Sequence, residues 1–193
     1  MKQFIANAFV GRAFGMSLLL VAGAALAAPH AHREHGAHEH GVAALTLAFS
    51  DRDLAVEFDS PAVNLIGFEH AATSAKDSQA VAETAEKLRA PLTWLRLPAA
   101  AQCAVIKTTV ESELLGNATD SVPADHDGHE HEGHADFTAK YQLQCKALQA
   151  LDVVDMQLFD TFKGIEKIKA QWLTSTAQNA KVLTPADHMI RLQ

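Results

Sequence analysis

Between residues 42 and 59 the chain alternates apolar and polar positions twice, in "VAALTLAFSDRDLAVEF". Leu45, Leu47 and Phe49 share one parity, and after Ser50-Asp51-Arg52-Asp53 the residues Leu54, Val56 and Phe58 share another. A period of two on both sides of a polar turn predicts a β-hairpin. Pairing Ser50 with Asp53 sets Phe49 opposite Leu54, Leu47 opposite Val56 and Leu45 opposite Phe58, so the apolar pairs lie on one face and define the register. The period then changes. In "TSAKDSQAVAETAEKLRAP" Val81, Thr84, Ala85 and Leu88 recur at helical spacing, Ser74 with Asp77 resembles a capping box, and Pro91 ends the run.

Alternation returns in "FTAKYQLQCKA", where Phe137, Ala139, Tyr141, Leu143 and Cys145 share a parity, and "QCAVIKTTVES" is rich in β-branched residues. Antiparallel pairing of these two with Cys103 opposite Cys145 places Val105 against Leu143 and centres the connection near residue 124. The segments "VVDMQLF", "EKIKAQWL", "AKVL" and "HMIRL" read as short strands, with Trp172 in phase with Ile168 and Ala170 as a core aromatic. The expected fold is α+β, mostly antiparallel β, with one main helix and two histidine-rich segments.

The leader changes the setting of that fold. Lys2 and Arg12 precede the apolar stretch "AFGMSLLLVAGAALA", which ends in the small-x-small site Ala25-Leu26-Ala27. This is the layout of a secretory signal peptide over residues 1–27. The rival is an uncleaved anchor, for which the apolar core is shorter than the ~20 residues of a membrane span. Residues 28–193 are then expected as one exported, soluble domain with no membrane insertion after cleavage. Removing Lys2 and Arg12 takes the formal charge from −7 to −9, which argues against nucleic acid as a partner and fits cation capture. In an oxidising compartment the isolated pair Cys103 and Cys145 reads as one disulfide; the rival is a pair of thiolate metal ligands.

Histidine supplies the candidate chemistry. Five of the 11 histidines fall in "PHAHREHGAHEHG", as His30, His32, His35, His38 and His40 within an N-terminal tract at 28–41. Four more, His126, His129, His131 and His134, lie in "DHDGHEHEGH" within a predicted loop at 116–135. Neutral imidazole suits zinc, copper, nickel and cobalt, and His-rich tracts interleaved with Asp, Glu and Gly are a metal-binding composition. The competing reading is a solvated low-complexity linker. Extending the hairpin register past its strands brings His40 near Val63 and His38 near Leu65, a few residues from Glu69-His70. An ordered site of His38, His40 and His70 follows, with Glu69 as fourth ligand or as an outer hydrogen-bond partner. Equally open is a His70 that caps the following helix or is merely exposed. His188, flanked by Asp187 and Met189, reads as an ordinary strand-end residue, with a role as metal ligand the lesser alternative.

Enzyme motifs are incomplete. No histidine-glutamate pair continues to H-E-x-x-H, and G-x-S-x-G, the P-loop and G-x-G-x-x-G do not occur. The expectation is a metal binder with no catalytic or cofactor-holding residues.

The run "HREHGAHEHGVAALTLAF", then "LAVEFDSPAVNLIGFEHAA", an acidic His-rich insert before "YQLQC", and the tail "LFDTFKGIEKIKAQWLT" resemble the ZrgA-like proteins. The most specific stretches are "SPAVNLIGFEH" and "GIEKIKAQWLT". The resemblance implies a periplasmic zinc-binding accessory protein that captures Zn²⁺ and aids high-affinity uptake with a zinc ABC importer or its solute-binding protein. Composition alone leaves open a buffer or detoxification protein for nickel, copper or excess zinc, and, less well, a metal-dependent enzyme. Because imidazole must shed its proton to bind, capture is expected to weaken as pH falls through ~6.5.

Overall fold

The computed structural model describes residues 39–116 and 135–192. The expected signal peptide at 1–27, most of the tract at 28–41 and most of the loop at 116–135 lie outside the described residues. The predicted hairpin forms as β1 (Val42–Ser50) and β2 (Asp53–Pro61), in the expected register of Ser50 with Asp53, Phe49 with Leu54, Leu47 with Val56 and Leu45 with Phe58. Leu45, Leu47, Leu54, Val56 and Phe58 are all buried.

Strand β4 (Cys103–Glu111) pairs antiparallel with β5 (Asp136–Cys145), and a disulfide joins Cys103 to Cys145 where they face each other. Val105 faces Leu143 as expected, but beyond it a β-bulge shifts the register so that Lys107 meets Gln142. The extra residue, Ile106, is left 64% exposed. Helix α2 (Ala75–Arg89) starts at a complete Ser74–Asp77 capping box and buries Val81, Thr84, Ala85 and Leu88.

These strands join β7 (Lys167–Leu173) and β8 (Gln178–Leu183) in a six-stranded sheet of order β4-β5-β2-β1-β7-β8. A second sheet takes β3 (Leu95–Arg96), β6 (Val153–Met156) and β9 (Met189–Arg191), in the order β3-β6-β9. The buried face of the large sheet, the inner side of α2 and the small sheet form one apolar cluster. Trp94 lies within it, edge-on to Tyr141 at 5.4 Å, and the Tyr141 hydroxyl donates to the carbonyl of Leu88 at 2.7 Å. Burial pushes the Tyr141 phenol well above its usual range.

The fold is therefore not the α+β arrangement with one main helix. Among the described residues it is mostly β, in two sheets, with three α-helices. Two of these, α1 (Ala62–Ile66) and α3 (Leu158–Thr161), are too short for a 3.6-residue period to emerge. Leu158 and Phe159, expected at the end of a strand, belong to α3. Helix α1 ends at Gly67, which takes the left-handed conformation at φ 86° that glycine adopts without steric cost. One pairing is also parallel: β1 lies beside β7 with Val42 opposite Lys167. That contact carries residues 164–167 to the start of β1, where the histidine tract ends.

Candidate metal centre

The tract enters the described fold through a tight turn. Val42 N–H donates to the Glu39 carbonyl at 3.0 Å, and Gly41 has φ 80°. A positive φ at the third position of such a turn is the type II arrangement, which favours glycine. A Cβ on Gly41 would lie 3.1 Å from Cγ and Cδ of Glu166, so the Glu166 side chain packs over the turn.

Asn64 clamps that turn from the other side. Its Oδ1 accepts from Gly41 N–H at 2.7 Å, and its Nδ2 donates to the Val42 carbonyl at 3.0 Å and to Ser60 Oγ at 3.2 Å. Asn64 and Ser60 are both buried, and a buried amide is stable only when satisfied in this way. The Gly41 carbonyl accepts from Glu166 N–H at 2.7 Å and Lys167 N–H at 2.9 Å. Gly164 completes the knot, because a Cβ there would sit 2.5 Å from the Asn64 carbonyl oxygen. Residues 39–41 are thus anchored by α1 and by the approach to β7.

This arrangement corrects the route by which His40 was expected to reach the second motif. The hairpin ladder stops at Ala44 with Asp59, and the chain turns into α1 after Pro61, so no extended pairing carries His40 to Val63. The proximity arises instead through the side chain of Asn64.

On this anchored turn His40 is open to solvent, its side chain 68% exposed, while that of Glu69 is only 13% exposed. His40 Nε2 lies 3.7 Å from Glu69 Oε1, too long for a direct hydrogen bond. Two zinc–ligand bonds of about 2.0–2.2 Å span that gap comfortably. Glu39 is in an ion pair with Lys169 at 3.1 Å. His70 is exposed. Its Nδ1 lies 2.9 Å from the Ala71 carbonyl and its exposed ring stacks on Phe68 at 4.7 Å.

His38 falls outside the described residues, as do His30, His32, His35, His126, His129, His131 and His134. Among the described residues no three His, Cys, Asp or Glu side chains are grouped to hold a metal ion. His40 and Glu69 are brought together as a pair. Both cysteines are in the disulfide, which removes the thiolate alternative. Reading the sequence overlooked Asn64, Gly164 and Glu166. The available signal was a lone amide inside the apolar run "PAVNLIG", since a buried polar residue is more informative than an apolar one.

A family model described as "ZrgA family zinc uptake protein" matches residues 37–192. No curated protein matches the chain. The matched span begins just before the anchored turn and includes "SPAVNLIGFEH" and "GIEKIKAQWLT", the stretches that build it.

Proposed function

The chain belongs to the ZrgA family of zinc uptake proteins, and we propose that it acts within uptake as an exported, periplasmic accessory protein that captures Zn²⁺ and is not itself an enzyme. Residues 1–27 direct its export, and residues 28–193 form the working domain. The observation that carries the reading is the anchored turn, which holds an exposed His40 beside a largely buried Glu69.

Zinc is the cargo. The histidines of 28–41 and of the loop at 116–135 collect Zn²⁺, each exchange replacing one imidazole or carboxylate by a neighbour, so no step strips the ion bare. His40 and Glu69 take two positions of the better-organised site. His38, two residues along the chain, and His70, once its ring leaves Phe68, supply the others. Four N and O donors suit tetrahedral zinc. The fixed backbone at Gly41 limits the ordering that binding must impose, which favours affinity. Hand-over then runs to a zinc ABC importer or its solute-binding protein.

A chelator-buffered Zn²⁺ titration of the chain tests this. A tight site should survive deletion of residues 125–134, and its half-saturation should rise tenfold or more in His40→Ala and in Glu69→Gln. Loss of tight binding on deletion, with His40→Ala unaffected, would place the chemistry in the loop and sink the ordered site. Expression separates uptake from detoxification, because induction by zinc starvation fits the first and induction by excess metal the second.

A further inference from the structure

A second histidine meets a carboxylate far along the sequence from His40. His188 immediately precedes β9, and its ring reaches across to Asp155 on β6. The two strands are paired, Asp155 with Met189, and the His188 carbonyl accepts from Met156 N–H at 3.1 Å, so both backbones are fixed.

The ring contacts determine what is missing between the side chains. His188 Nδ1 lies 3.0 Å from the Pro185 carbonyl oxygen. A carbonyl only accepts, so Nδ1 carries a proton and neutral imidazole then presents its lone pair at Nε2. That Nε2 faces Asp155 Oδ1 at 3.3 Å. Two lone pairs at this distance repel unless a cation lies between them, and the candidates are a proton and a metal ion. Asp155 is held in place by Gln157, whose amide donates to its two oxygens at 2.8 and 2.9 Å.

We infer that His188 and Asp155 form a second, independent Zn²⁺ site on the small sheet. Two features fit a metal ion at this pair. Tetrahedral bonds of about 2.0–2.1 Å place neighbouring ligand atoms roughly 3.3–3.4 Å apart, which matches the observed gap. The Nδ1–H to carbonyl contact and the amide on the carboxylate are the outer hydrogen bonds that orient metal ligands. Beside His188 a cavity of about 210 Å³, lined also by Gln157, Asp160, Lys163 and Pro185, leaves room for water. Asp160 is itself paired with Lys163 at 3.0 Å, and Asp187 with Lys181 at 2.6 Å, so neither competes for His188.

With two protein donors and open positions the site exchanges its ion readily, which suits cargo in transit. The site depends neither on His40 nor on the His-rich segments.

The test observes the histidine rings of the full chain by ¹⁵N NMR during titration with Zn²⁺ alone. His188 is assigned by the signal lost in His188→Gln. The expected result is a zinc-dependent shift of His188 Nε2 with Nδ1–H retained. In Asp155→Asn the Zn²⁺ concentration for half the shift should rise at least tenfold, with the amide spectrum otherwise preserved. The proposal is overturned if His188 responds to pH but not to excess Zn²⁺, or if Asp155→Asn leaves the zinc response unchanged. In a His40→Ala chain the His188 response should persist whatever becomes of the first site, which keeps the two readings separable.

Discussion

The large sheet and the small sheet each present a histidine just before a strand, next to a carboxylate, and they hold it in opposite ways. At β1 the backbone is locked by Asn64, Glu166 and Gly164 while the His40 ring stands free in solvent. At β9 the His188 ring itself is held, one nitrogen at a carbonyl and the other at Asp155, and its side chain is 31% exposed. A locked backbone with a free ring leaves the ring able to accept further donors from the neighbouring chain. A held ring has its partners already chosen. The first arrangement suits collection by a multi-histidine segment, and the second suits a small fixed site.

The largest expected effect should separate stability from both pairs. The disulfide closes the end of β5 remote from the anchored turn, because Cys145 lies beyond the pairing of Gln144 with Asp53 whereas Asp136 pairs with Pro61. A cross-link over 42 residues constrains the unfolded chain by about 4 kcal/mol, a loss that urea denaturation of Cys103→Ser/Cys145→Ser should show. The zinc responses of His40 and His188 should survive in the folded fraction.

Breaking the knot itself comes next. Asn64→Ala removes three hydrogen bonds, two of them buried, and strands Gly41 N–H, for an expected loss of about 2–4 kcal/mol in urea denaturation. The zinc response of His40 should weaken while that of His188 holds. If both fell together in folded protein, the two regions would be coupled rather than independent. Gly41→Ala is milder. A positive φ and the contact with Glu166 should together cost about 1–2 kcal/mol by thermal or urea melting, again with a change confined to His40. The smallest effect belongs to Lys169→Ala. Its ion pair with Glu39 is exposed on both sides, so stability should stay within about 0.5 kcal/mol, and Glu39 becomes available beside His40. An unchanged or tighter zinc half-saturation is expected; a marked weakening would show that Lys169 orients the turn.

How much of this was legible in the sequence varies with how local the cause is. The β1–β2 register rests on residues a few positions apart with a period of two. The cap of α2 is a four-residue pattern, and the pairing of Cys103 with Cys145 needs only two cysteines on strands of matching parity. The bulge at Ile106 was not read, although Val105 and Val110, both packed against the core, fall on opposite parities across it. His40 and Glu69 were drawn together by extending the hairpin register, whereas the ladder itself ends at Ala44 with Asp59 and the Asn64 side chain holds the turn beyond it.

What the sequence determined by itself is the hairpin, the capped helix, the disulfide partners and a composition suited to binding metal ions. Only the tertiary structure decided the parallel seat of β7 against β1, the second sheet, the knot around Gly41 and the meeting of His188 with Asp155. The physical reason is that a strand with one apolar face can bury it beside any complementary neighbour, so alternation specifies the face and not the partner. The partner is chosen when the whole chain closes over one core. Contacts such as Glu166 with Gly41 come into being at that step.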